Sequence, residues 1–258
     1  MYYLGLIFIL NLFVLTEYDR LHYPIYNFIE YYSDIQSIII GILNSLFKIY
    51  DNNYIYDHNK LALHKLLQCN HEKLMQEFSD VYLYNKLTNP GVFQSDFREP
   101  DDNNYGYYFI KYYGDINQDK FPLLSKLIQN KDVYCCFYSV INDEKYIKVH
   151  RGPYSGILRY HYTLFSDNTE CDYLQVLDKK LYWKEKDGFL FDDTFAHNLT
   201  KTSSGTRVSI IIDIKKQLPW ILDKLNTLYL NYVKTSCYVS KIYPKLKIQH
   251  QNKKLTIY

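Results

Sequence analysis

Long apolar runs are scarce in this sequence, and so are the short motifs that announce common cofactors. The longest apolar stretch, residues 2–15 (YYLGLIFILNLFVL), is interrupted only by Asn11. As a helix it would reach ~21 Å, short of the ~30 Å hydrocarbon core of a bilayer. It has neither a basic segment before it nor a small-residue cleavage site, which argues against a secretory signal. Two readings stand: membrane association through residues 2–15 in a tilted or extended form, or a helix packed on the domain. The protein would then be cytoplasmic or membrane-associated. There is no GxGxxG and no P-loop, so the usual glycine-rich phosphate cradles are excluded. No internal repeat is present. The net charge is only +2, from 30 basic and 28 acidic residues, too small to imply nucleic acid or a strongly acidic partner. The five cysteines (Cys69, Cys135, Cys136, Cys171 and Cys237) are an odd number in no metal-ligand spacing. Adjacent Cys135 and Cys136 would face opposite sides of a strand, so the thiols read as reduced.

A chain of 258 residues has room for one sizeable core, or for one core with a helical annex. Its 18% aromatic content, with 30 Tyr, accompanies abundant Lys, Asn and Ile and reads as coding bias rather than a binding code. Ile35, Ile38, Ile39, Ile42, Leu43, Leu46 and Phe47 recur at helical spacing, with Ser33 or Asp34 placed to cap the helix. Residues 60–78 read as a further helix. His58, His64 and His71 lie here with no carboxylate or cysteine pattern to match a zinc site, so they read as surface or packing residues. Residues 88–106 read as a long polar loop. Strand-like runs follow at 107–113, 133–141, 146–151, 156–165, 171–177, 188–193 and 207–214, with a short helix after Pro122. Short strands with turn signals at this spacing predict a sandwich or barrel. Helical periodicity returns over 218–238, and the basic run from Lys241 to Lys254 reads as solvated. The chain thus divides into a hydrophobic and helical region (1–80), a β domain (81–216) and a C-terminal helix with basic tail (217–258).

Two stretches carry the chemistry. In HRGPYSGILRYH (150–161), strand alternation sends Arg159, His161 and Thr163 to one face. In FDDTFAH (191–197) the same alternation would group Asp193, Phe195 and His197. Arg207 and Ser209 share a face of the run RVSIIID. Two imidazoles and a guanidinium facing one interior suggest a metal ion with a carboxylate ligand beside it. Asn198-Leu199-Thr200 fits a glycosylation acceptor but adjoins a candidate ligand, so the match is discounted.

These motifs, with Arg207 ten residues after His197, Trp183 and the Cys136–Ser139 run, resemble the aspartyl/asparaginyl/prolyl β-hydroxylases. That family comprises iron(II)- and 2-oxoglutarate-dependent dioxygenases; the resemblance extends to lipid A acyl-chain hydroxylases and covers roughly residues 105–216. It implies a mainly β fold with flanking helices around a double-stranded β-helix (jelly-roll, cupin-like) core. It also implies Fe(II) held by His161 and His197, with O2 and 2-oxoglutarate as cosubstrates. Arg207, aided by Ser209, would take the far carboxylate of 2-oxoglutarate, with His150 and Arg159 as further contacts. Thr163 stands where most such enzymes carry a metal-binding acid; relatives in this family work without it. Asp192 and Asp193 are assigned to bracing the loop around His197. Gln175 occupies a position where many relatives have an Arg. The expected reaction is hydroxylation of an unactivated C–H, most simply an Asp or Asn side chain in a peptide or protein. A lipid acyl chain is the alternative substrate, and a non-catalytic jelly-roll binding module the alternative class.

Overall fold

In the computed structural model, residues 35–83, 105–167 and 171–247 are described, apart from two isolated positions near the start. Residues 2–15, the proposed cap at 33–34, most of the loop at 88–106 and the tail beyond 247 lie outside them.

Among the described residues, ten strands form two antiparallel sheets. The strands are β1 (Ile55–Tyr56), β2 (Tyr105–Tyr112), β3 (Val133–Asn142), β4 (Lys145–His150), β5 (Ile157–Ser166), β6 (Tyr173–Val176), β7 (Lys179–Tyr182), β8 (Gly188–Phe191), β9 (His197–Lys201) and β10 (Thr206–Lys215). One sheet has six strands in the order β1-β8-β5-β10-β3-β2, the other four in the order β4-β9-β6-β7. The order is that of one long ribbon folded back on itself. β3 pairs with β10, β4 with β9, β5 with β8 and β6 with β7, and successive pairs alternate between the sheets. This nesting defines a jelly roll, and it puts residues distant in sequence opposite one another inside.

The long strands are buried on both faces, which is why they read as nearly continuous apolar runs. On β10, Val208, Ile210 and Ile212 enter a cluster with Tyr160 and Tyr162 of β5 and Cys136, Tyr138 and Val140 of β3. Helices α2 (Ala62–Cys69) and α3 (His71–Tyr82) cover that face through Leu67, Leu74, Phe78 and Val81, and α4 (Pro122–Leu127) covers it through Leu124. Each such side chain contributes about 1.5–3 kcal/mol by leaving water. The opposite face, with Arg207, Ser209 and Ile211, looks into the roll. Cys135 falls in the interior cluster and Cys136 in the outer one, and every cysteine is free.

One end of the interior is closed by α1 (Ile35–Tyr50), α5 (Trp220–Thr235) and α6 (Cys237–Ile242). Phe47, Tyr229, Leu230 and Val233 pack there with Phe109, Phe137 and Ile211. The helices before residue 81 therefore share their cores with the sheets, and β1 adds its two residues to the edge of β8. The expected helix over 60–78 is two helices, broken at Asn70, whose side chain turns back to donate to the Leu66 carbonyl at 2.8 Å. In the basic run, Ile242 and Leu246 are buried between exposed Lys241, Lys245 and Lys247. Among the described residues no helix is long and apolar enough to cross a membrane.

Candidate active site

Between the sheets lies a cavity of about 100 Å³, lined among others by His150, Arg159, His161, His197, Arg207 and Ser139. His161 comes from β5 of the six-stranded sheet, His197 from the first position of β9 in the four-stranded sheet. Both are buried, each only 4% exposed. Burial, with the cationic neighbours Arg207 and Arg159, holds His161 well below the usual imidazole range. Burial and neighbouring His150 push His197 down to about 3. Both rings are thus neutral at ordinary pH, the form in which imidazole binds a metal. His197 is oriented by Nδ1 against the Phe195 carbonyl at 2.8 Å. The buried Nδ1 of His161 has no hydrogen-bond partner among the described residues; a polar atom buried in this way is costly unless a ligand satisfies it.

Arg207 is 1% exposed. Its Nη1 donates to Ser209 Oγ and its Nη2 to Ser139 Oγ, each at 3.1 Å, while the guanidinium lies 4.7 Å from the Trp183 ring centre. Its Nε is buried without a partner. Among the described residues no carboxylate forms an ion pair with it, and burial lowers it to about 10. A fully buried guanidinium held only by neutral hydroxyls is costly unless an anion completes it. The donor set therefore fits both groups the motifs imply: a metal ion at the imidazole pair, and a small carboxylate at Arg207. Ser139 enters the sequence reading only as the end of the Cys136–Ser139 run, with no role at the site, although it faces Ser209 across β3 and β10. Tyr105 and Tyr107, whose hydroxyls bond to each other, line the cavity too; they fall at the edge of the polar loop, where nothing in the sequence marked them.

The other expected residues have definite places. Arg159 faces the cavity but is committed: Nε and Nη2 donate to both Asp213 oxygens at 2.8 and 2.9 Å, and Nη1 meets Asp193 at 2.8 Å. His150 lies beside His197, ring centres 4.2 Å apart with the planes tilted by 56°, and its Nδ1 is against the Lys148 carbonyl. Thr163 is fully buried, its hydroxyl unpartnered. Gln175 points away from the cavity, bonding to the Leu177 carbonyl; Leu174 lines the cavity in its stead.

The strand alternation expected across 191–197 is not observed. Asp193, Phe195 and His197 do not share a strand face, because residues 192–196 form a turn closed by Phe195 N–H to the Asp192 carbonyl at 3.2 Å. Asp192 braces this turn by accepting from the Thr194 N–H and hydroxyl at 3.0 and 2.6 Å, and it pairs with Lys216. Asp193 is tied to Arg159. Neither carboxylate is spare for a metal.

A second group of potential ligands lies on the far face of β5. His58, His64 and Asp187 place one ligand atom each within 4.8 Å of one another. No zinc-type spacing is visible around these histidines in the sequence, because Asp187 sits in the turn between β7 and β8, far along the chain.

A jelly roll whose interior joins a neutral imidazole pair to an arginine without a counter-ion is the frame of a metal-dependent oxygenase. Residues 68–217 match the aspartyl/asparaginyl beta-hydroxylase family, and the chain belongs to that family of oxidoreductases. It is similar to an ornithine lipid ester-linked acyl 2-hydroxylase of Rhizobium tropici, at 30% identity over 82 residues, 31% of this chain. The match spans 29% of that relative's length. Among solved structures it is similar to the DMSP lyase DddQ of Ruegeria pomeroyi (8% identity, 47% of this chain and 52% of that one, TM-score 0.33). It is also similar to a predicted oxalate decarboxylase of Thermotoga maritima (9% identity, 43% and 81%, TM-score 0.30). At these scores the strand order above, not the likeness, defines the fold.

Proposed function

We propose that this protein is an Fe(II)- and 2-oxoglutarate-dependent hydroxylase of an aliphatic C–H bond. The observation that carries the reading is Arg207, a buried guanidinium bound only to hydroxyls, in the same cavity as two neutral imidazoles. His161 and His197 would hold the iron, which with O2 and 2-oxoglutarate supplies the oxidation. Arg207 would bind the far carboxylate of 2-oxoglutarate, with Ser209 and Ser139 fixing the plane of its fork. Arg159 would act at one remove, pinning β5, β10 and the turn before His197 through Asp213 and Asp193. His150 would hold the His197 ring from its other side. Phe189 and Phe191, which pack on His161, and Trp183 would exclude water.

For the substrate, the structure favours an acyl chain over the Asp or Asn side chain that the family name suggests. Of the cavity's two arginines, one is committed to Asp193 and Asp213 and the other is reserved for the cosubstrate. Besides His150 and His197, the four-stranded sheet lines the cavity with apolar Ile147, Leu174 and Leu199. The relative acting on an ester-linked acyl group points the same way. A lipid surface would also suit α5, whose exposed Trp220, Ile221, Leu225, Leu228 and Tyr232 form an apolar stripe at helical spacing. From Lys224 to Tyr258 the sequence holds seven lysines and no acidic residue, a match for anionic headgroups. A peptide Asp or Asn substrate is the second reading, favoured by the family itself.

The test is anaerobic titration with Fe(II) and 2-oxoglutarate, followed by a succinate-release screen on lipids, peptides and amino acids. A visible charge-transfer band that disappears in His161→Ala is expected. No band in the wild type, or one undiminished in the variant, would sink the reading and leave a binding module.

A further inference from the structure

We propose that His58, His64 and Asp187 form a second divalent-metal site, of zinc-binding type, on the outer face of the six-stranded sheet. It stands independently of the hydroxylase reading. His58 belongs to a short 3₁₀ turn (His58–Lys60), His64 to α2, and Asp187 to the turn entering β8. Asp187 Oδ1 lies 2.9 Å from His58 Nε2 and 4.0 Å from His64 Nε2. These separations need only small side-chain shifts to surround an ion at about 2.0–2.2 Å.

The arrangement goes beyond a hydrogen-bonded pair in two respects. His64 is buried, with its Nδ1 fixed by the Tyr160 hydroxyl at 2.6 Å. Such an outer partner holds a ligating imidazole in one orientation and leaves Nε2 for the metal. Asp187 is fixed as well: its Oδ1 accepts the Gly188 N–H at 2.8 Å, and its carbonyl accepts the Thr163 N–H at 2.8 Å. Two imidazole nitrogens and one carboxylate oxygen, with water as fourth ligand, suit zinc among the common divalent ions. The partly exposed edges of His58 and Asp187 give the ion a way in. Because Tyr160 and His161 are successive residues on β5, the ion would lie across the sheet from the cavity. It would staple α2 to the turn that follows Trp183.

The experiment uses the full chain carrying His161→Ala and His197→Ala, titrated with Zn(II) against a chromophoric chelator. One equivalent is expected to bind. Adding His58→Gln or Asp187→Asn should weaken it at least tenfold and abolish the zinc-induced rise in Tm. Side chains of His58 and Asp187 are 20% and 43% exposed, so these changes spare the core, and circular dichroism checks the fold. Should the double variant fail to fold, the wild type is titrated in its place. Two equivalents falling to one in His58→Gln support the site. Failure of the parent to take up this equivalent, or equal affinity in His58→Gln and Asp187→Asn, overturns it.

Discussion

Gly152 sits directly beneath Asp193. Its N–H donates to the Asp193 carbonyl at 2.7 Å, and a Cβ at residue 152 would fall 2.2 Å from Asp193 Oδ1. That carboxylate cannot swing clear, because Arg159 holds it at 2.8 Å. Gly152→Ala should therefore break the Asp193–Arg159 pair, and the cost expected from losing a buried ion-pair partner is about 3 kcal/mol. Urea unfolding checks this; a loss below about 0.5 kcal/mol would show that the turn adjusts freely.

Arg207 predicts opposite effects on binding and stability. Arg207→Lys keeps the charge but loses the fork, and charge-assisted hydrogen bonds are worth about 1.5–3 kcal/mol. Half-saturation by 2-oxoglutarate should rise roughly 10–100-fold on that scale. Arg207→Met removes a buried cation without a counter-ion, so its Tm in the absence of ligands should equal or exceed the wild type's. A marked fall in Tm would mean that the guanidinium serves the fold.

The exposed stripe on α5 predicts a dependence on lipid presentation. Ile221→Asp with Leu228→Asp should raise KM for lipid in anionic vesicles about tenfold or more, since each buried side chain is worth about 1.5–3 kcal/mol, and leave kcat unchanged. Unaltered KM on vesicles would remove the lipid-surface reading.

Asp192 gives a pH signature. Burial raises its carboxyl from 3.8 to about 6, against the opposing pull of Lys216. The folded state therefore binds this proton more tightly than the unfolded chain does. The contribution is full below about pH 4 and is lost as pH rises through 6, with a slope of at most about 1.4 kcal/mol per pH unit. Subtracting the stability profile of Asp192→Asn from that of the wild type should isolate a decline between those values. A flat difference would place the ionised carboxylate in equal environments in both states.

Where alternation and burial agreed, the sequence was readable. β3, β5 and β10 are long and apolar on the outer face, and the motif residues follow from their parity. β7 was missed because Lys179-Lys180-Leu181-Tyr182 has no apolar alternation; it is an edge strand, mostly exposed. β9 was hidden behind the motif, whose turn at Asp192–Ala196 breaks the alternation that had seemed to run into His197. Gln175 was legible as a departure but not as an outward-facing one, since that depends on the register of β6 against β9. Asp187 could not be linked to His58 and His64 at all, because that contact exists only once the ribbon has folded over α2.

The two imidazoles of the cavity belong to different sheets, His161 to the larger and His197 to the smaller. Any ion gripped by both is consequently a rivet between the two layers, added to the apolar contacts that already join them. Metal loading should then be felt beyond the cavity, as slower amide exchange along β7, the edge strand of the smaller sheet, which supplies no residue of the cavity lining.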